Sequence, residues 1–487
     1  MEESVLKGQE PAEVFHYFEE LSRIPRGSGD EKAVSDFLVA FARERHLDVM
    51  QDGALNVRIR KPGTPGYENS PGVVIQGHMD MVCEKAPGVV HDFQKDPIRL
   101  RVEDDMVWAT GTTLGGDDGI AVAMGLAVLA SKDLPHPPVE LLVTTSEETG
   151  MDGAHALDPG EVAGKTLINI DSEEEGILTV SCAGGCSARI TIPVRYEKLN
   201  SDHAVFAVTV KDLKGGHSGI EIHKGRANAN KLLARLLDRL NGELELAVCS
   251  VNGGSKHNAI AREAQAVVAV RRADEARLRE LARSLEAEFR DEYKAADPDI
   301  RVLVDAPGTV PGEAMTRKSG GDVINFLYLI PNGVQSMSMD IEGLVESSLN
   351  LGVIQTKEGS VEIISSIRSA VGSIKRNLFH TIESIANLTN GKVAEESGYP
   401  EWRYNPNSKI RELLVETYEK LFGAKPLVNA IHAGLECAIF DEKFGGEMDM
   451  ISFGPTMFGV HTAEEHLSIP STQRTWQLLR ETLKALR

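Results

Sequence analysis

From Phe15 to about Leu157, helical spacing of apolar residues alternates with short apolar runs that end in Gly or an acid. This is the pattern of βαβ units around a largely parallel sheet. The spacing predicts a helix at 30–46, strands near 54–60 and 72–78, a helix at 118–131, a strand at 138–144 and a further strand, TLINID, ending at Asp171. Between them KPGTPGYENSPG (61–72) reads as a surface loop. The middle of the chain changes pattern: VFAVTVKDL (205–213), a helix near 226–241, strands in LELAVCSVNGG and AIAREAQAVVAV, a charged helix at 273–296 and the strand IRVLVDA. That order, βαββαβ, is the ferredoxin-like arrangement. A helix near 321–329, strands at 334–343, 347–357 and 360–368, and a helix at 371–389 resemble a second, imperfect copy. Helical spacing resumes at 407–422, with strand-like runs at 426–431 and 449–453. The expected architecture is α/β: a mixed sheet flanked by helices, built from 1–186 and 397–487, interrupted by an inserted α+β lid of two ferredoxin-like units at 187–396.

Composition narrows the partners. The 487 residues include 52 Lys+Arg and 73 Asp+Glu, a formal charge of −21 that offers a phosphate backbone or an anionic membrane surface little to hold. Nucleic acid and membrane are therefore not expected partners. The cysteines (83, 182, 186, 249 and 437) are odd in number and form no CxxC pair, which suits a reducing compartment. The N-terminus has acids and helical spacing where a signal peptide needs a basic start and an apolar run. A cytoplasmic location is the expectation.

Open α/β sheets place ligand sites at the carboxyl ends of their strands. VVIQG is followed by His78-Met79-Asp80; TGTTLGGDDG sets Asp117 and Asp118 at a helix start; VELLVTTS leads to Glu147-Glu148; LINI leads to Asp171; and DMISFGPTMFGV leads to His461. Taken singly, an Asp at a helix start is most often an N-cap, and a lone His a hydrogen-bonded structural residue. Together they are carboxylates crowded on one sheet edge, which repel unless cations neutralise them. Imidazole plus carboxylate without thiolate suits Zn²⁺, with Co²⁺ or Mn²⁺ possible. Five ligand groups exceed the need of one catalytic zinc and fit two that share an Asp. A paired-metal hydrolase is the expectation.

The segments GHMDM, GGDDG, SEETGMDGA, NIDSEEEG, GGHSG, HAGLEC, MDMISFGP and GVHTAEEHL resemble, in order and over nearly the whole chain, the aminoacyl-histidine dipeptidases (Xaa-His or cytosol non-specific dipeptidases). These are co-catalytic zinc exopeptidases, related to aminoacylases and carnosinases. The resemblance implies that His78 and Asp171 hold one metal, Glu148 and His461 the other, and that Asp117 bridges them. It implies Glu147 as general base and acid with a metal-bridging hydroxide, Asp80 as the acceptor of the second ring N–H of His78, and a cis Asp117–Asp118 peptide. From the insert it implies His217, in GGHSG, as oxyanion donor. Asn258, Arg368 and the backbone N–H of Gly434 would be substrate-binding groups, with Arg368 and Gly434 on the free C-terminal carboxylate.

The implied activity is hydrolysis of dipeptides with a free C-terminal carboxylate, Xaa-His (β-Ala-His type) among them. N-acyl amino acid deacylation is the alternative with the same chemistry, and a non-catalytic metal-binding scaffold is the alternative from another class. A homodimer is possible, although a doubled insert could supply His217 within one chain. The sequence departs from the usual HAGLECG in having Ala438 after Cys437, which bears on the substrate pocket.

Overall fold

The computed structural model describes residues 4–487. Its chain forms two compact units: one takes the chain to Ser181 and then Trp402–Ala430 and Leu435–Arg487; the other comprises Cys182–Glu401 and Ile431–Gly434. Among the described residues no helix is long and apolar enough to cross a membrane.

The first unit is built on an eight-stranded sheet. Strands β1 (Asp48–Gln51) and β2 (Val57–Lys61) precede β3 (Val73–His78), helix α1 (Gly116–Ala130), β4 (Val139–Thr144), β5 (Thr166–Asn169) and β6 (Ile177–Cys182). The spatial order is β1-β2-β4-β3-β5, then the returning strand Asp449–Ser452, β6 and Leu427–Ile431. Strands β4, β3, β5 and Asp449–Ser452 run parallel, so their carboxyl ends share one rim. β3 and β4 are buried at every position, as parallel strands covered on both faces must be. Helix α1 reads GIAVAMGLAVLA after its first turn and is buried from Gly116 to Leu129, because a helix apolar all round has no solvent face. The loop predicted at 61–72 holds no strand or helix beyond Lys61, the last residue of β2, yet its Tyr67 is buried and donates its hydroxyl to the carbonyl of Lys484 at 2.8 Å.

The second unit is a nine-stranded sheet with two nested copies of one motif. After β7 (Gly184–Pro193) come β8 (His203–Lys211), α2 (Ala229–Glu243), β9 (Ala247–Gly253), β10 (Ala264–Arg271), α3 (Glu275–Glu292) and β11 (Arg301–Asp305). These give the order β11-β8-β10-β9, the ferredoxin-like arrangement. The chain continues through α4 (Arg317–Leu329), β12 (Val345–Lys357), β13 (Ser360–Ser369), α5 (Gly372–Leu388) and β14 (Lys392–Tyr399). Their order, β12-β13-β7-β14, is the same arrangement once β7 is taken as the first strand. The first copy is thus inserted between the first strand and first helix of the second. Leu232, Leu236 and Leu240 of α2, Leu281 and Phe289 of α3, Val323 and Leu327 of α4, and Ile382 of α5 enter one core against the sheet.

Several expectations shift. The boundaries expected at 186/187 and 396/397 would cut through β7 and β14, which both belong whole to the second unit. The strand expected at 334–343 is only Gly333–Met337, and a four-stranded sheet (Leu100–Glu103, Met106–Ala109, Met457–Phe458 and His466–Ser468) was not foreseen.

The two copies join where Asn252 and Gly253 of β9 pair with Gln355 and Ile354 of β12. Beside that seam Gly254 has φ +68°, and a Cβ there would lie 1.8 Å from the carbonyl oxygen of Gly352. Gly254→Ala is expected to destabilise the second unit by about 2 kcal/mol or more, through left-handed strain and a clash with backbone. The urea midpoint of that unit's unfolding transition measures it.

Candidate metal centre

The rim at the carboxyl ends of β3, β4 and β5 gathers His78, Asp117, Asp118, Glu147, Glu148, Asp171 and His461 of the first unit. His78 ends β3 and is 1% exposed. Its Nδ1 lies 3.3 Å from Oδ1 of Asp80 and 3.2 Å from the Asp80 carbonyl oxygen, so the ring N–H donates there and Nε2 is left for a ligand. That Nε2 lies 3.2 Å from Oδ1 of Asp117 and 3.6 Å from Oδ1 of Asp171. The other oxygen of Asp117, Oδ2, lies 3.2 Å from Nε2 of His461, which in turn lies 3.0 Å from Glu148. One carboxylate therefore faces two histidines through its two oxygens. The Asp117–Asp118 peptide is cis.

Local backbone places these groups. After β4 the chain turns at Ser146, a non-glycine at φ +54°, before Glu147 and Glu148; His461 itself stands at φ +64°. Such conformations persist where the surroundings fix them. The Ser146 N–H and hydroxyl both donate to Glu31, at 3.1 and 3.0 Å. The amides of Glu147 and Glu148 donate to the two oxygens of Asp80, at 3.1 and 3.3 Å, and the Ser28 hydroxyl adds a third bond at 2.7 Å. Asp80 thus orients His78 and the Glu147-Glu148 turn together.

The electrostatics are those of a site short of positive charge. Burial raises Asp171 to about 8, helped by Asp117 and Glu436 and opposed by His78. Burial likewise raises Glu147 and Asp118 well above the carboxylate range. His461 is lifted to about 11 by its hydrogen bonds to Asp117 and Glu148, against burial. Burial works to raise Asp80 as well, but its bonds with His78, Ser28 and the Glu147 amide bring it down to about 2. Asp117 is also held low, since hydrogen bonds from His461 and His78 outweigh burial. One oxygen of Asp118 is buried without a hydrogen-bond partner.

These donors fit divalent cations. A four-coordinate ion with bonds of about 2.0–2.1 Å holds its ligand atoms about 3.3 Å apart, close to the 3.0–3.6 Å found here between His78, Asp117, Asp171, Glu148 and His461. Ligand atoms of Asp117, Glu148 and His461 lie within 4.8 Å of one another, as do those of His78, Glu147 and Glu148, and of His78, Asp118 and Asp171.

The sequence reading missed residues that brace this rim. Arg26 is buried and donates to the carbonyls of Met79 at 3.0 Å, Asp80 at 3.2 Å and Gly115. Glu465 accepts backbone N–H groups from the segment leading to Asp117. Glu436 is fully buried, accepts from Gln76 at 2.6 Å and Thr144 at 2.7 Å, and is raised by burial to about 7. Glu436 and Glu465 lie inside the segments HAGLEC and GVHTAEEHL, whereas Arg26 carries no signal beyond its place in a Gly/Ser-rich turn. Ala438, the departure from the usual glycine, is buried in the short helix Glu436–Lys443.

The second unit gathers its own set. His217 lies in a two-residue strand paired with Ala259–Ile260, and its Nδ1 accepts N–H groups from Gly219 at 3.3 Å and Ile220 at 3.1 Å. Burial and the Arg368 charge keep its pKa low. Arg368, on β13, donates to the Tyr399 hydroxyl at 2.7 Å. His217, Arg368 and His432 converge on Gly219, where a Cβ would lie 3.1 Å from His217 Cε1, 3.2 Å from Arg368 Cζ and 2.6 Å from the His432 carbonyl oxygen. His432 shares a 2.7 Å hydrogen bond with the Ser348 hydroxyl and is lowered to about 4 by burial and Arg368. The Asn258 carbonyl accepts from Ser218 N–H at 2.9 Å, and Gly434 ends the segment Ile431–Gly434.

Comparison with known proteins agrees with this picture. The peptidase dimerisation domain model matches residues 208–297. The chain is 40% identical over 483 residues, 99% of each chain, to the cytosol non-specific dipeptidase of Escherichia coli strain K12. Its structure superposes on that of the aminoacylhistidine dipeptidase from Vibrio alginolyticus with a TM-score of 0.95 and 38% identity, covering 100% of this chain and 99% of that one. An aminopeptidase from Bacillus cereus shares the fold at 15% identity and a TM-score of 0.56, over 98% of this chain and 99% of its own. The chain belongs to the cytosol non-specific dipeptidase family.

Proposed function

We propose that this protein is a metal-dependent dipeptidase acting on dipeptides with a free C-terminal carboxylate, Xaa-His among them, in the cytoplasm. The observation that carries the reading is Asp117, whose two oxygens face His78 and His461 with Glu147 alongside. The relatives named for dipeptidase activity match over almost the full chain. In this reading His78 and Asp171 hold one Zn²⁺, Glu148 and His461 hold a second, and Asp117 serves both; Co²⁺ or Mn²⁺ can substitute. When bound, the cations supply Lewis acidity to the attacking water and the scissile carbonyl.

The chain's own residues do the rest. Glu147 takes the proton of the attacking water and returns it to the leaving amine. Its burial, which raises its proton affinity, suits it to the second half of that task. Asp80 keeps the Nδ1–H of His78 pointed away from the ligand site. In the second unit His217 donates to the developing oxyanion, with its pKa kept low by burial and Arg368. Arg368, steadied by Tyr399, clamps the substrate carboxylate together with the backbone N–H of Gly434, and Asn258 contributes to the same binding. A homodimer is part of the reading, supported by the dimerisation-domain match.

A panel of β-Ala-His, ordinary dipeptides and N-acetyl amino acids with added Zn²⁺ tests the activity: turnover of the dipeptides is expected, and turnover of acetylated substrates alone would replace this reading with a deacylase. Glu147→Gln is expected to lower kcat by about 10²–10⁴-fold while zinc content by elemental analysis stays unchanged. Without cations Asp171, at about 8, and His461, at about 11, carry protons at pH 7, and both must lose them to ligate. Cation affinity should therefore fall as pH falls from 8 to 6, and the rise in Tm on adding Zn²⁺ should be larger at pH 8 than at pH 6.

A further inference from the structure

The loop Gly459–Glu465 carries a group at each of two positions. His461 faces Asp117 and Glu148. Four residues on, Glu465 is 2% exposed, and its carboxylate accepts N–H from Leu114 at 2.7 Å, Gly115 at 3.0 Å, Gly116 at 2.8 Å and Asp117 at 3.4 Å. A helix start leaves such N–H groups without partners, and here one carboxylate takes a run of them. The backbone that carries Asp117 is therefore tied to the loop that carries His461. From the other direction Arg26 donates to the Gly115 carbonyl and to those of Met79 and Asp80, tying the same segment to the end of β3.

The loop is also anchored at its base. It joins Met457–Phe458 to His466–Ser468, and opposite residues across the small sheet stack in a row: Phe458 on His466 at 5.0 Å, His466 on Trp108 at 3.7 Å with planes 14° apart, and the Arg101 guanidinium over Trp108 at 4.9 Å. Glu465 sits directly before His466 in this row.

We propose that Glu465 is a positioning residue for one cation subsite only: it sets the separation of Asp117 from His461 and Glu148, whereas His78 and Asp171 are held through β3, β5 and Arg26. The inference rests on the reading of these residues as metal ligands given above. Glu465 touches neither substrate nor cation and acts by tying the loop that carries His461 to the backbone that leads to Asp117.

Glu465→Gln keeps the volume and removes the charge. Titrated with Co²⁺ after chelator treatment and followed by visible absorption, the unmutated chain is expected to take up two ions. The E465Q chain should bind one with unchanged affinity and the other about 10- to 100-fold more weakly, with Glu465→Asp in between. His461→Ala should weaken the same ion, and the double variant should lose no more than His461→Ala alone, because both changes act on one subsite. Equal weakening of both ions, or of neither, would overturn the inference and leave the dipeptidase reading standing; uptake of no cation by the unmutated chain would overturn both. Should E465Q not fold, the unmutated chain still decides. Its Trp108 emission, identified by its loss in Trp108→Phe, should follow the filling of one ion, and emission that follows both or neither would overturn the inference.

Discussion

Negative charge packed at the carboxyl ends of parallel strands is the constraint on which this protein depends. Asp80, Asp117, Asp118, Glu147, Glu148 and Asp171 all lie within a few residues of β3, β4, β5 or α1; the first three are buried and the other three half-buried. Burying ionised carboxylates without compensation is among the most costly things a fold can do. The protein answers in two ways. Some acids receive their own donors, as Asp80 does from His78, Ser28 and the Glu147-Glu148 turn. Others, above all Asp171 and Glu147, are left with raised proton affinity, a standing demand for positive charge that cations can meet.

That demand explains why the rim is braced so heavily. Ligands at short range help a cation only if they cannot move apart when it is absent. Here the bracing groups are themselves charged and buried: Arg26 on carbonyl oxygens, Glu465 on amides, Glu31 on Ser146. Each engages backbone, so the positions of Asp117, Glu147 and Glu148 are fixed through the main chain, and their own side chains keep their oxygens for the site.

The sequence made the site more legible than its frame. His78, Glu147, Glu148, Asp171 and His461 follow strand-like runs and Asp117 stands at a helix start, so element ends found by periodicity lead to them directly. Arg26 and Glu465 could not be found that way, because a side chain that bonds backbone leaves no spacing signature in the chain it bonds. Among the strands, β3 and β4 stand out as short, mostly apolar segments, VVIQGH and VELLVT. In contrast β14, KVAEESGY, is largely solvent-facing and carries no alternation to detect, and β7 opens on Gly184 and Gly185, which masked its later alternating residues. The missing first strand of the second copy was thus present, upstream of the first copy, where no search of consecutive elements would place it.

The nesting of one ferredoxin-like copy inside the other has a consequence for how the chain reaches this state. The first copy, β8 to β11, is continuous in sequence, and its strands pair with one another. Strand β7 leaves the ribosome before all of it, yet pairs with β13 and β14, so it waits through roughly 170 residues of synthesis before either neighbour exists. During that interval an alternating, apolar strand has both edges open, the condition under which chains pair with the wrong partner. The whole first copy is made before either partner of β7, and β14, the last strand of this sheet to be made, covers the edge of β7 that β13 leaves open.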